Sequence, residues 1–226
     1  MALVGILSDI HSNLPALKAV LEELERLGPD LIISAGDLVG YYTFPNEVIK
    51  MVRMKGIYSI KGNHDRAVLS GDVSWFNEDA AEAALWNRAR LSPASMEFLA
   101  QLPDRWMLEV GGKNVLIVHG SPRDPDEYVL PLPPGRWPFG TNDADLIVMG
   151  HTHIAWTERY GELTVLNPGG VGQPRDGDPR PAFALVDTRS MVVRLLRASY
   201  DPAETAWSVL EHGLPPSLAV RLYHGL

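Results

Sequence analysis

The stretch Leu3–His11, with the sequence LVGILSDIH, joins a short apolar run to two polar residues, Asp9 and His11. A compact apolar run of this length that ends in polar residues is typical of a buried strand. Leucines at helical spacing follow it, up to a Gly-Pro pair at residues 28–29 that fits a helix end. The first thirty or so residues therefore predict a strand, a polar Asp-x-His turn and a helix.

The same pattern, an apolar run that ends in polar residues, occurs four more times. These runs end in Gly36-Asp37, Gly62-Asn63-His64-Asp65, His119-Gly120 and Gly150-His151-Thr152-His153. In sheet proteins the carboxyl edge of the strands is where ligands usually bind. One such Asp or His alone is more often a cap or turn residue. Burying the whole set without a partner would be very costly, so the set predicts a bound cation.

The early part of the chain has a β-α-β pattern, and the later part is mostly β. Strands are predicted at Leu3–Leu7, Leu31–Ser34, Ile57–Ile60, Arg105–Val110, Val115–Val118, Leu146–Met149, Leu163–Leu166, Ala182–Val186 and Met191–Leu196. Helices are predicted after Asn13, at Pro45–Met54, within residues 77–101 on either side of Ser92-Pro93, and at Ser217–Leu226. These elements predict an α/β (α+β) fold in which two packed sheets are flanked by helices. Residues 1–226 are expected to form a single domain.

The 226 residues carry 20 Lys and Arg against 28 Asp and Glu, a formal net charge of −8. This acidic balance argues against stable binding to nucleic-acid backbones or to an anionic membrane surface. No apolar run approaches the roughly 20 residues of a membrane helix, and the start lacks the positively charged segment of a signal peptide. A cytoplasmic protein is expected. The chain has no cysteine, which excludes disulfides, thiolate zinc sites, iron–sulfur clusters and cysteine nucleophiles.

The candidate metal ligands are oxygen and nitrogen atoms, which suit divalent ions such as Mn²⁺, Fe²⁺, Zn²⁺ or Ni²⁺. They outnumber the roughly four ligands of one tetrahedral zinc. Two ions that share a bridging carboxylate fit their number better. Such a pair can lower the pKa of a bound water to near 7 and screen negative oxygens on a substrate. Phosphate esters are the natural substrates of this chemistry.

The ordered series D-x-H (9–11), G-D (36–37), G-N-H-D (62–65), H-G (119–120) and G-H-T-H (150–153) resembles the calcineurin-like metallophosphoesterase superfamily. The resemblance covers most of residues 3–187 and implies a two-sheet β-sandwich flanked by helices. It also implies that Asp9, His11 and His153 hold a first metal ion, and that Asp37 bridges this ion to a second one.

By the same resemblance, Asn63, His119 and His151 hold the second ion, whereas His64 is not a ligand. His64 would contact the substrate phosphate and assist departure of the leaving oxygen, as a general acid or an electrostatic clamp. Its neighbour Asp65 either orients it or simply begins a turn.

Two further stretches resemble the small bacterial and archaeal phosphodiesterases of this superfamily: Gly36–Tyr41 followed by Pro45–Ile49, and Asn167–Arg175. Tyr42-Thr43-Phe44 stands where such proteins more usually carry a Gly-Pro-type segment, so a bulkier and more apolar site wall is expected. Residues 36–40 lack the Asp-Arg pair of the G-D-x-V-D-R-G motif, which argues against a protein phosphatase.

Three residues are candidates for substrate contacts, and each has an alternative role. Asn13 fits a cap of the first helix equally well. Tyr42 could stack on a nucleobase or pack in the core. Arg175 could bind phosphate or lie on the surface. Separately, six prolines between residues 122 and 138 exclude an ordinary helix or central strand there. A loop over the site and a surface connector are equally good interpretations of that segment.

Together these observations predict a binuclear metal-dependent phosphoesterase, with two divalent ions per chain. It would hydrolyse phosphodiester or nucleotide-type substrates by attack of a metal-bridging hydroxide. One alternative is a phosphomonoesterase or protein phosphatase of the same superfamily. Others are a non-catalytic metal-binding scaffold and a mononuclear hydrolase of a non-phosphate ester. The expected partner is a small phosphate ester, nucleotides included.

Overall fold

The computed structural model describes residues 2–132, 137–140 and 143–226. Within these ranges the strands are β1 (Leu3–Leu7), β2 (Leu31–Ser34), β3 (Tyr58–Ser59), β4 (Arg105–Val110), β5 (Lys113–Val118), β6 (Leu146–Val148), β7 (Ala155–Tyr160), β8 (Leu163–Pro168), β9 (Ala182–Asp187) and β10 (Val192–Arg197). The helices are α1 (Leu14–Leu27), α2 (Pro45–Met54), α3 (Asn63–Ser70), α4 (Glu78–Arg90), α5 (Pro93–Gln101), α6 (Ala203–Glu211) and α7 (Pro216–His224). None of the helices in the described part of the chain is both long and apolar enough to cross a membrane.

The strands form two mixed five-stranded sheets. The first has the order β10-β9-β1-β2-β3, with β1, β2 and β3 parallel to one another. The second has the order β4-β5-β6-β8-β7, with β5, β6 and β8 parallel. Because parallel strands end at the same edge of a sheet, each sheet gathers the polar residues that follow three of its strands at one edge.

The core between the two sheets follows from side-chain alternation along the strands. Val4 and Ile6 of β1 belong to a buried cluster that also contains residues of β5, β6 and β8, such as Ile117, Val148 and Leu166. Leu7 instead belongs to a second cluster, formed with the apolar face of α1 and with residues of α2. The first sheet is therefore covered by the second sheet on one face and by helices on the other.

The two-sheet α/β architecture confirms the prediction. The parallel start, the β4–β5 hairpin and the two helices on either side of Ser92-Pro93 are present. Three elements were not predicted: α3, β7 and α6. The strand predicted at Ile57–Ile60 is only Tyr58–Ser59, because the chain bends immediately afterwards toward α3. That residues 1–226 form one domain stays a prediction.

Candidate metal centre

Five of the predicted ligands lie in turns with a left-handed backbone. The φ angles are +53° at Asp9, +49° at His11, +54° at Asp37, +68° at His151 and +61° at His153. Non-glycine residues rarely adopt this conformation, which costs about 1–3 kcal/mol per residue and is found mainly at functional sites. The sharp turns follow the strands directly and bring the polar side chains back over the sheet edge.

Backbone hydrogen bonds tie these turns to one another. The amide of Asp9 donates to the carbonyl of Gly36 (3.0 Å), and that of His11 donates to the carbonyl of Asp37 (2.9 Å). The amide of Gly172, in the glycine-rich segment 167–173, donates to the carbonyl of Asp9 (2.8 Å). The side chains above these turns are therefore held at fixed distances by the backbone.

The first cluster of ligand atoms belongs to Asp9, His11 and His153, all of which are buried. The Nε2 atoms of the two histidines are 3.1 Å apart, and Nε2 of His153 is 3.4 Å from Oδ1 of Asp9. Each ring uses Nδ1 as the donor to a backbone carbonyl, that of Val39 for His11 (3.1 Å) and that of Gln173 for His153.

This hydrogen bonding decides where the lone pairs lie. A neutral imidazole has one N–H, so donation from Nδ1 leaves Nε2 as an acceptor. Two Nε2 lone pairs then face each other beside a carboxylate. A cation among these three residues removes their mutual repulsion, and backbone carbonyls commonly orient metal-ligating histidines in this way. The donor set of the first cluster therefore fits a divalent metal ion.

Asp37 lies between this cluster and a second one. Its Oδ2 is 3.6 Å from Nε2 of His11 and 3.3 Å from Nε2 of His119. Its Oδ1 accepts a hydrogen bond from the backbone amide of His64 (2.8 Å). Gly62 makes this approach possible, since a Cβ there would lie 2.0 Å from Oδ1 of Asp37.

The second cluster surrounds the side-chain oxygen of Asn63. Oδ1 of Asn63 is 2.9 Å from Nε2 of His119 and 3.0 Å from Nδ1 of His151. The opposite nitrogens of both rings again face backbone carbonyls: Nδ1 of His119 donates to Ala35 (2.8 Å) and Nε2 of His151 donates to Asp126 (3.1 Å). The structure thus brings all seven predicted ligands together, three on one side of Asp37 and three on the other.

Burial and mutual charge shift the pKa values of these groups in opposite directions. Burial is the main reason that the pKa of Asp9 rises to about 7. Burial opposes the charge of Asp37 as well, but the neighbouring imidazoles of His119 and His64 hold its pKa well below the usual range. Burial also disfavours the charged form of His119, and the Asp37 carboxylate outweighs it, so that the pKa of His119 rises to about 9.

The other imidazoles of the centre stay neutral. Burial lowers the pKa of His151 to about 3, and it holds the pKa values of His11 and His153 well below that of a free histidine. Neutral imidazoles next to an ionised carboxylate are the protonation states that metal ligation requires.

His64 lies beside both clusters and is 4% exposed. Its ring centroid is 4.7 Å from that of His11 and 4.5 Å from that of Tyr41. A ring nitrogen of His64 also comes within 4.8 Å of ligand atoms of His11 and Asp37. Burial lowers the pKa of His64 to about 4, partly offset by Asp37. Gly40 packs against its ring, since a Cβ at Gly40 would lie 2.4 Å from Nδ1.

The three candidate substrate residues occupy different environments. Asn13 is buried and caps α1, with Oδ1 accepting from the amide of Ala16 and Nδ2 donating to the carbonyl of Gly172. Tyr42 is fully buried, with its hydroxyl accepting a hydrogen bond from Gln173. Both side chains are therefore engaged inside the protein, which favours the cap and core interpretations, and their substrate roles stay predictions.

Arg175 lies nearer to the centre. It donates to the hydroxyl of Tyr41 (3.0 Å) and to Oε1 of Gln173 (2.9 Å). Its charge is one reason why the pKa values of His153 and His64 are low. A half-buried guanidinium that donates to Tyr41 and Gln173 differs from the solvated surface arginine that was the alternative, and its contact with phosphate stays a prediction.

The structure also resolves the role of Asp65. Its carboxylate accepts from the backbone amides of Leu38 and Val39 (3.2 and 3.1 Å) and from that of Gly62 (3.0 Å). It thereby fixes the turn that carries Asp37 and caps the start of α3. His212 and His224, which lie outside every motif, are exposed.

Sequence reasoning did not identify Asn87, Asp126 or Tyr128 as parts of the site. Asn87 lies within α4, where a polar residue looks like part of a solvated face.

Asp126 and Tyr128 belong to the proline-rich segment, whose prolines 133 and 134 lie outside the described residues. The ring of Tyr128 is 4.2 Å from that of His151. These contacts favour the interpretation of the described part of this segment as a loop at the site.

Two packed mixed sheets flanked by helices, with aspartates and histidines buried at the strand ends, are the architecture of the metallophosphoesterase fold. The chain belongs to the calcineurin-like phosphoesterase superfamily, whose domain matches residues 2–191. A crystal structure of a metallophosphoesterase from Sphaerobacter thermophilus shares 36% sequence identity and a TM-score of 0.85 over 100% of both chains. The resemblance seen in the motifs is confirmed.

The chain is also similar in sequence to two further proteins. The uncharacterized protein MJ0912 of Methanocaldococcus jannaschii is 33% identical over 242 residues, covering 99% of this chain and 98% of that protein. Phosphodiesterase YfcE of Escherichia coli (strain K12) is 25% identical over 191 residues, covering 80% of this chain and 84% of that protein.

Proposed function

We propose that this protein is a binuclear metal-dependent phosphodiesterase that acts on small, nucleotide-type phosphate esters. The observation that carries the proposal is the placement of Asp37 between two groups of three ligand atoms. One ion would be held by Asp9, His11 and His153, the other by Asn63, His119 and His151, with Asp37 shared. When bound, two such ions supply a water of lowered pKa and positive charge against the phosphate oxygens.

The chain's own residues would complete the reaction. The backbone carbonyls behind His11, His119, His151 and His153 hold the rings in one tautomer, so that each presents a lone pair to the centre. The phosphate would lie against the edge where His64 is fixed between Tyr41 and the clusters. Neutral His64 can donate a hydrogen bond there to the departing oxygen and so stabilise the charge that develops on it.

The preference for diesters draws on two observations. One relative carries the name phosphodiesterase at 25% identity. The other is the charge of the cavity that adjoins His64: among the described residues that line it, Arg66 is the one Lys or Arg, and it is already paired with Asp126. Arg175, which is not among those lining residues, already donates to Tyr41 and Gln173. A monoester carries about one more negative charge than a diester at neutral pH, and that charge would need a further cation.

The test compares bis-p-nitrophenyl phosphate with p-nitrophenyl phosphate on protein stripped with a chelator and reloaded with Mn²⁺. Faster turnover of the diester, lost in Asp37→Ala, is the expected result. His64→Ala should lower kcat by about 10²–10⁴-fold while the metal content stays that of the wild type. Loss of metal from His64→Ala would make His64 a ligand instead.

Other outcomes point to other functions. A preference for the monoester would identify a phosphomonoesterase. Two metal equivalents without turnover of either ester, across several divalent ions, would identify a non-catalytic scaffold. A single metal equivalent would contradict the binuclear centre.

A further inference from the structure

A cavity of about 350 Å³ opens directly beside Asn63, His64 and His151. Its walls come from α3, from the loop that joins α3 to α4, and from the described part of the proline-rich segment. Apart from Asn63 and His151, none of its described lining residues is a predicted metal ligand. The cavity also adjoins His64, the histidine to which the proposed mechanism assigns the leaving oxygen.

Four of the described lining residues carry the aromatic ring of a Phe, Tyr or Trp side chain. The ring centroid of Phe76 lies 4.4 Å from that of His64, and the ring centroid of Tyr41 lies 4.5 Å from it. Tyr128 covers His151 from the proline-rich segment. Trp75 also lines the cavity, and its side chain is 68% exposed. These rings offer flat surfaces on which another flat ring can stack.

The charges of the cavity do not favour a second anion. Nη2 of Arg66 is paired with Oδ1 of Asp126, so its charge is already balanced. Asp72 adds a further negative charge, and its pKa is held below the ordinary value by hydrogen bonds from Ser74. Among the described lining residues no other Lys or Arg is present. A neutral ligand therefore fits better than a phosphate or carboxylate group.

We propose that this cavity is a nucleobase subsite, in which Trp75, Phe76 and Tyr128 hold the base of a nucleoside that leaves from the phosphodiester. The inference rests on the proposed function, because His64 places the leaving oxygen on the cavity side. A nucleobase is the flat, neutral, aromatic part of a nucleotide, and stacking on aromatic side chains is the usual way in which proteins hold it. Arg66 and Asp126 would be positioning residues that fix the proline-rich wall against α3.

The reaction at this subsite can be written for a simple probe. In adenosine 5′-(methyl phosphate), water adds to phosphorus and the bond between phosphorus and O5′ breaks. The oxygen of water stays on phosphorus, and a proton goes to O5′. The products are adenosine and methyl phosphate, whereas cleavage on the other side would give methanol and adenosine monophosphate.

The experiment compares this probe with the same methyl phosphate diester of methyl riboside, which lacks only the base. We expect kcat/KM to be at least about tenfold higher for the adenosine diester, with adenosine as the product. Trp75→Ala should reduce this ratio by about tenfold, the typical loss for one base–aromatic stack. Trp75→Phe, which keeps an aromatic ring, should restore most of it.

Trp207→Ala is the matched control. Trp207 is as exposed as Trp75, at 69%, and lies on α6 outside this cavity. Its loss should leave the ratio unchanged. The subsite is overturned if the wild type has the same kcat/KM for the adenosine diester as for the methyl riboside diester. It is also overturned if neither Trp75→Ala nor Tyr128→Ala lowers the ratio of these two kcat/KM values.

Failure of the subsite and failure of the proposed function can be told apart. Hydrolysis of bis-p-nitrophenyl phosphate that is lost in Asp37→Ala supports the function whatever the base preference. If no ester is hydrolysed, calorimetric binding of adenosine, compared between wild type and Trp75→Ala, tests the cavity alone. Binding that is weakened by the substitution supports the subsite, and absence of binding contradicts it.

Discussion

The Nε2 atoms of His11 and His153 lie 3.1 Å apart, although 141 residues of sequence separate the two histidines. Each ring donates its Nδ1 hydrogen to a backbone carbonyl, so two lone pairs face each other next to Asp9. This arrangement is stable when a cation lies between the rings and is repulsive without one. The relationship is therefore the clearest physical sign of a metal site in the chain.

Removing one member of this pair should abolish one metal site. We expect the wild type to retain about two equivalents of Mn²⁺ after gel filtration and His153→Ala about one, because the cluster that contains Asp37 and His119 is left intact. Metal content measured by mass spectrometry checks this. His212→Ala, which removes an exposed histidine outside the site, is the control. Two equivalents in His153→Ala would contradict the assignment of the first cluster.

Metal affinity should increase with pH. Protons compete with metal ions for the same ligand atoms, and in the metal-free chain the pKa values of Asp9 and His119 are about 7 and about 9. Between about pH 7 and pH 9 one proton must leave, so the Kd for Mn²⁺ should fall by about tenfold per pH unit, and more steeply below pH 7. Competition titrations with a chelator of known affinity measure this. A Kd that is constant from pH 6 to 9 would show that neither group is a ligand.

Gly40→Ala should impair turnover through His64 without removing metal. The new Cβ would lie 2.4 Å from Nδ1 of His64, so the ring must move. We expect kcat to fall by about 10²-fold or more, with normal metal content.

The matched control for this prediction is Gly112→Ala. Gly112 also has a positive φ, +77° against +99° at Gly40, and nothing lies near the place of its Cβ. That variant should lose about 1–2 kcal/mol of stability from backbone strain and keep its kcat. Equal kinetic losses in both variants would mean that strain, not displacement of His64, is responsible.

Asn87→Ala should destabilise the fold by about 2–4 kcal/mol. The buried amide of Asn87 accepts from Ser12 (2.7 Å) and from the backbone amide of Gly40 (3.2 Å), and it donates to the carbonyls of Tyr42 and Ala83 (both 2.9 Å). The substitution leaves these groups without partners. Urea unfolding measures the loss.

The exposed Asn114 offers a comparison for this loss. It makes a hydrogen bond to the carbonyl of Asp143 at the surface, and Asn114→Ala should change the free energy of unfolding by less than about 0.5 kcal/mol. If Asn87→Ala and Asn114→Ala lowered the free energy of unfolding by the same amount, the hydrogen bonds of Asn87 would not stabilise the fold.

The strands and the ligand motifs could be predicted because their signals are local. A buried strand shows as an apolar run, and a ligand shows as Asp or His directly after it. The helix α3 gave no such signal: it begins at Asn63 itself, and its first turn depends on Asp65 reaching back to Gly62, a contact that only the folded turn reveals. The strand β7 is an edge strand with only one buried residue, Trp156, so its hydrophobic pattern is weak.

The walls of the site could not be predicted in the same way. Tyr41 and Tyr42 are neighbours of the same type, yet one lines the cavity by His64 and the other is buried against Gln173. The backbone of Tyr41 has a positive φ of +49°, and two adjacent tyrosines in a sequence do not indicate which of them takes that conformation. Asn87 could not be found because three of its four partners, Ser12, Gly40 and Tyr42, lie far away in sequence.

Each cluster takes its ligands from both sheets, and this has a consequence for folding. Asp9 and Asp37 follow strands of the first sheet, whereas His119, His151 and His153 follow strands of the second. Neither sheet alone can present either cluster, so a chain with only one sheet formed has no site to fill. Metal uptake during refolding should therefore lag behind the appearance of strand structure and report the moment when the two sheets dock. A cation would stabilise the finished fold but could not template it.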